Sequence, residues 1–180
     1  MLLLFYRLPL WFVILGTAVV IVISGKIKAN LYRKSINKIN FVAYIGLFLS
    51  LALIFSATII RNPSNIYEIQ LIPLQSLIHA QTQPEMYRTM LMNIVLFVPM
   101  GITVTFINFR RFSVKKHFLV TVLSSLILSI SIELYQYANG IGLFQTDDVI
   151  CNVLGVLIGF STYPLSNYFL KSFLKSKYFD

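Results

Sequence analysis

Five apolar runs, each about as long as a bilayer crossing, take up most of this chain: Leu8 to Ser24, Phe41 to Ile60, Thr89 to Asn108, Phe118 to Tyr137 and Val149 to Leu170. A hydrocarbon core of about 30 Å needs roughly 20 such residues per helical crossing. Inside it every backbone polar group must bond within the protein, which a helix achieves along its own length. The expected fold is therefore all-α, a polytopic bundle of about five membrane helices. With no internal repeat and no long linker, residues 1–180 read as a single integral membrane domain. The composition agrees: 57% apolar residues, 12% charged and a mean hydropathy of +0.78 exclude an ordinary soluble domain.

The first run differs from a cleaved signal. It is long, and Ser24-Gly25-Lys26 leads into basic residues without a small-x-small site, so it reads as a membrane helix. The single cysteine, Cys151, can form no internal disulfide and belongs to no zinc pattern.

A net charge of +9 would suggest nucleic acid in a soluble protein, so the placement of the charges decides its meaning. Lys26, Lys28, Arg33, Lys34 and Lys38 fill the first connection, Arg110, Arg111, Lys115 and Lys116 the third, and Lys171, Lys175 and Lys177 the C-terminal segment. The N-terminal segment and the even connections hold only Arg7, Arg61 and Arg88. Twelve against three predicts an outside N-terminus and a cytoplasmic C-terminus by the positive-inside rule. The clusters then act as topology determinants near membrane lipids, and no nucleic-acid partner is expected.

That orientation gathers scattered polar residues at one depth. Asn93 falls near the outer start of the third span, Glu133 and Gln136 near the outer end of the fourth, and Asp147, Asp148 and Asn152 at the outer start of the fifth. Ser125, Ser129, Glu133 and Gln136 lie at offsets of 0, 4, 8 and 11, one stripe of a helix that should face protein. Asp148, Asn152, Gly155 and Gly159 form a second face, whose glycines permit close helix approach. Carboxylates inside a membrane are costly and mark functional sites, and Glu133 is needed to complete its span. Its expected partners are Arg61, Arg88, His79 or a proton. Acids before a helix also cap free N–H groups, a role open to Asp147 and Asp148. The long connection from Arg61 to Arg88 lies on the same side and could cover the site, with Ile72 and Leu74 dipping into the headgroup region.

Asn93-Ile-Val-Leu-Phe97-Val-Pro99-Met-Gly101, then Glu133-Leu-Tyr-Gln136, then Asp147-Asp148-Val-Ile-Cys151-Asn152-Val-Leu-Gly155, together resemble the VanZ-like membrane protein family. The resemblance covers residues 71–165, with Gln70-Leu71-Ile72-Pro73-Leu74 similar to the family's Asn-Leu-Ile-Pro-Phe element, while Gly142 stands where members often carry arginine. It implies a bacterial cell-membrane location and an association with low-level teicoplanin resistance.

The leading expectation is a non-enzymatic protein whose site, Glu133, Gln136, Asp147, Asp148, Asn152 and Asn93, binds a lipid headgroup, a lipid-linked cell-wall precursor or the glycopeptide antibiotic. No cofactor can be named from the sequence and no resident metal is expected. A second reading is an enzyme on a lipid-linked substrate, with Glu133, Asp147 and Asp148 holding Mg²⁺ against a pyrophosphate. It lacks a nucleophile motif, and the predicted topology puts His79 and His117 on opposite sides. Proton-coupled transport is a third, with no ionisable residue expected in the inner halves of the spans. A purely structural protein packing through its fifth span is a fourth.

Overall fold

The computed structural model describes residues 9–31, 36–59, 67–79, 84–107 and 113–179, without the side chains of residues 36, 79, 84 and 172–179. The elements are α1 (Leu10–Leu31), α2 (Ile36–Thr58), β1 (Ile69–Gln70), α3 (Gln75–His79), α4 (Pro84–Phe106), α5 (Val114–Ala138), β2 (Phe144–Gln145), α6 (Thr146–Phe160) and α7 (Thr162–Phe179). Five stretches are long and apolar enough to span a membrane: α1, α2, α4, α5 and the Thr146–Lys171 stretch over α6 and α7. The protein is an all-α membrane bundle, as expected.

Local chemistry sets the ends of these helices. Ser113 caps α5, its hydroxyl accepting from the Lys116 N–H at 3.3 Å. After α5 the chain turns at Gly140, whose φ of +61° a side chain would strain. The Tyr67 ring lies against that glycine, with its hydroxyl 2.7 Å from where a Cβ would stand. Between α6 and α7 the helix is interrupted at Ser161, and Pro164, which has no N–H to give, falls in the first turn of α7, where helices tolerate it.

The core is built around α4, which packs on α6 and α2. A Cβ on Gly155 would come within 2.0 Å of the Ile94 carbonyl oxygen, one on Gly159 within 2.2 Å of that of Val98, and one on Gly101 within 2.1 Å of that of Val156. Contacts that rise together, 94 with 155 and 98 with 159, make α4 and α6 parallel neighbours in backbone contact. Ile54, Phe97, Met100, Ile132 and Val156 fill the centre where α2, α4, α5 and α6 meet.

Two groups depart from the sequence expectation. The first span continues past Ser24 to Leu31, so Lys26 and Lys28 lie on α1 itself. Lys28 is 1% exposed; its Nζ donates to the Thr105 carbonyl at 2.7 Å and stands 4.0 Å from the centre of the Tyr163 ring. A carbonyl at the negative end of α4 and an aromatic face take over from water and headgroups there. His117, placed in a connection by sequence, is buried on α5 beside Tyr163. Ionisable groups are therefore present on the span helices near the basic end, because neighbouring helices cover them.

Candidate functional site

All five described acids, Glu68, Glu85, Glu133, Asp147 and Asp148, lie at the end where α2 and α5 finish and α4 and α6 begin. Glu133 is 1% exposed on the last turns of α5. Its Oε2 accepts the Gln145 N–H at 3.0 Å. Of the suggested partners, Arg61 and the His79 side chain lie outside the described residues, and Arg88 is half-buried on α4.

Asp147 does not cap its own helix. The residue before α6, Gln145, makes no side-chain cap bond, while the buried Asp147 carboxylate reaches to the 71–79 segment. Its Oδ1 accepts from the Leu74 N–H, and its Oδ2 accepts from the Ser76 N–H at 2.7 Å. A carboxylate accepting free N–H groups at the start of α3 satisfies donors that the short helix cannot. The bond to Leu74 meets a strained residue, since its φ of +64° is costly for a leucine. The same segment is tied down twice more. β1 pairs in parallel with β2, with Ile69 opposite Phe144 and Gln70 opposite Gln145, and Thr146 Oγ1 donates to the Leu71 carbonyl at 3.3 Å.

Gln136 is also engaged: its Nε2 donates to the Thr58 carbonyl at the end of α2 at 2.8 Å. Asn152 on α6 donates from Nδ2 to Ser129 Oγ at 2.8 Å. Its Oδ1 is buried without a hydrogen-bond partner among the described residues. Asp148 and Asn93 are partly exposed, Asn93 on α4 beside the Ile94 turn that meets α6. The six residues thus share one end of the bundle. Glu133, Asp147 and Gln136 hold backbone groups of the surrounding segments, Asp148 and Asn93 are partly exposed, and the Asn152 carbonyl oxygen is the buried acceptor with no partner among the described residues.

The α5 stripe is longer than the sequence analysis made it. His117, Thr121, Ser125, Ser129 and Glu133 recur every fourth residue and are all 3% exposed or less. The same spacing continued two steps toward the helix start would have found it. Thr121 donates to the His117 carbonyl at 2.7 Å and Ser125 to that of Val122 at 2.9 Å, so both hydroxyls are satisfied on their own helix. Among the described residues no group of three or more His, Cys, Asp and Glu side chains could hold a metal ion.

The 71–79 segment presents an apolar face: Leu71, Ile72, Leu74 and Ile78 are each more than half exposed. This ledge at the acidic end is held by Asp147 from below. The family model described as VanZ/LLP1 matches residues 41–167, which takes in the ledge and every residue of the site. The chain belongs to the VanZ/LLP1 family. The match begins in α2, a helix that the VanZ motifs leave out. Protein VanZ of Enterococcus faecium is 33% identical over 81 residues, 45% of this chain and 47% of that protein. The chain thus spans about half the length of this curated VanZ relative. No solved structure matches.

Proposed function

We propose that this VanZ-family protein works in the bacterial cell membrane, with its acidic end outward, and binds the polar group of a lipid or lipid-linked cell-envelope molecule there. The observation that carries this is the apolar ledge of residues 71–79, fixed by Asp147 next to the half-buried Asp148. An apolar surface and a polar site side by side suit a ligand that is half in the bilayer and half in the headgroup layer. Asp148, Asn93 and the Asn152 carbonyl oxygen recognise the polar part; Glu133 and Gln136 keep their surroundings in place. By this reading the protein lowers teicoplanin susceptibility by occupying or withholding an envelope ligand, and no bond-making chemistry is assigned to it.

The test is the teicoplanin susceptibility of a sensitive Gram-positive host carrying wild type, Asp148→Asn or Glu133→Gln at matched membrane levels, with vancomycin as comparison. Protection by the wild type, lost in Asp148→Asn, is expected. If Asp148→Asn protects as well as the wild type, the acidic site is not the recognition site. If the wild type gives no protection, the resistance role fails for this chain.

A further inference from the structure

A second feature lies on another face of α4 and needs none of the acidic-site residues. Near its basic end α1 is supported by α7: Gly25 packs against Leu165, and Lys26 stands 5.6 Å from the centre of the Phe169 ring. A hydrogen bond from Lys28 to the Thr105 carbonyl joins α1 to α4 at the basic end. Between that bond and the acidic end, along the middle of the two helices, α1 and α4 enclose a groove of about 420 Å³ lined by Phe12, Gly16 and Val20 on one side and Val95, Pro99 and Ile102 on the other. Gly16 has nothing within 4 Å of its Cβ position, so the groove is open at its middle.

The groove also reaches Ser24, giving a length of about 18 Å at 1.5 Å per residue, slightly more than the hydrocarbon depth of one leaflet. Its lining is nearly all apolar, and it lies among helices that face lipid. One charge stands in line with it. Arg88, Val95, Pro99 and Ile102 recur at offsets of 0, 7, 11 and 14, a single face of α4, with Arg88 about 10 Å beyond Val95 toward the helix start. Ile94 and Gly101, which meet α6, lie on a different face. Arginine is the side chain best matched to a phosphate, which it can hold through two parallel N–H bonds.

We propose that the α1–α4 groove is a binding site for an anionic glycerophospholipid, one acyl chain lying along Gly16 and the headgroup phosphate meeting Arg88. The phosphate then lies at the acidic end and the chain runs from there past the middle of α4, on a face that borders the α6 contact at Val98 and Ile102. The site is independent of the ligand proposed for Asp148.

The full chain, reconstituted in vesicles of phosphatidylcholine, is exposed to a trace of phosphatidylglycerol bearing a photoreactive acyl chain, and labelled peptides are mapped. Label is expected to concentrate on 12–24 and 95–103 rather than on the lipid-facing Phe48 and Ile127. Replacing the probe by its phosphatidylcholine counterpart lowers groove labelling roughly fivefold, the equivalent of one basic residue meeting one anionic headgroup, and Arg88→Gln abolishes that difference. Gly16→Leu fills open space, so the thermal midpoint stays put while groove labelling falls roughly tenfold and Phe48 labelling is unchanged. Even labelling over all lipid-facing helices would overturn the site, as would full labelling of Gly16→Leu. Equal labelling by the two probes in the wild type would overturn the role of Arg88. A single-chain polyprenyl phosphate retained through purification, with no glycerophospholipid, would overturn the choice of occupant.

Discussion

Asp147 shows how far the job of one side chain can lie from its place in the sequence. Its position at the start of α6 suggests a cap, yet both its oxygens serve backbone N–H groups some seventy positions earlier, at Leu74 and Ser76. Asp147→Asn would turn an amide nitrogen toward one of those donors, leaving it unmatched at a cost of about 1–3 kcal/mol. The expected outcome is faster proteolysis within residues 71–79 with the helical content unchanged. A cleavage rate equal to wild type would show that β1 and Thr146 hold the ledge without it. Gly140 offers a paired test. Gly140→Ala meets both the positive φ and the Tyr67 hydroxyl, whereas Tyr67→Ala removes the second obstacle. The double variant should therefore recover part of the stability lost by Gly140→Ala alone, leaving the backbone strain of about 1–2 kcal/mol. A thermal-melt cycle on the four proteins in detergent measures that recovery.

At the scale of elements, the contact between α4 and α6 sets the architecture. Lipid tails are as apolar as leucine, so membrane helices gain little by hiding apolar faces from lipid, and close backbone fit matters more. Glycines 101, 155 and 159 provide that fit, each leaving no room for even a methyl group. Gly155→Ala is expected to lower stability by about 3 kcal/mol or more, since the obstacle is the Ile94 carbonyl and not a flexible side chain. Ser131→Ala, on the lipid-facing side of α5, is the control and should change the melting midpoint by less than about 0.5 kcal/mol equivalent. The polar stripe from His117 to Glu133 belongs to this scale too. Its hydroxyls bond largely to their own helix, which lets α5 turn a polar face into the bundle without stranding donors in an apolar interior.

For the whole molecule, charge is divided between two ends. The described acids stand at one end, while Lys26, Lys28, Lys38, Lys115 and Lys116 stand at the other. By the positive-inside rule this separation predicts that the acidic end faces outward, which labelling tests. In intact cells a membrane-impermeant maleimide should label Glu68→Cys, and Lys115→Cys only after permeabilisation. Both positions are exposed, and the native Cys151, 2% exposed in the bundle, should give little background. The opposite labelling pattern would invert the topology and move the proposed ligand site to the cytoplasm.

What the sequence determined by itself was whatever depends on composition and period. Run length against bilayer thickness fixed the five spans, and the four-residue recurrence from Ser125 to Glu133 fixed which face of α5 is buried. The glycine spacing fixed which face of α6 could approach a neighbour, and ordered motifs were enough to recognise the family. Tertiary structure decided who meets whom. Parallel packing of α4 on α6, the reach of Asp147 to Leu74 and Ser76, the backbone partner of Glu133 and the burial of Lys28 against Thr105 and Tyr163 all join residues distant in the chain. Periodicity describes one helix at a time. It carries no information about the neighbour across an interface, and in a membrane that neighbour decides whether a charge is stranded, matched or available to a ligand.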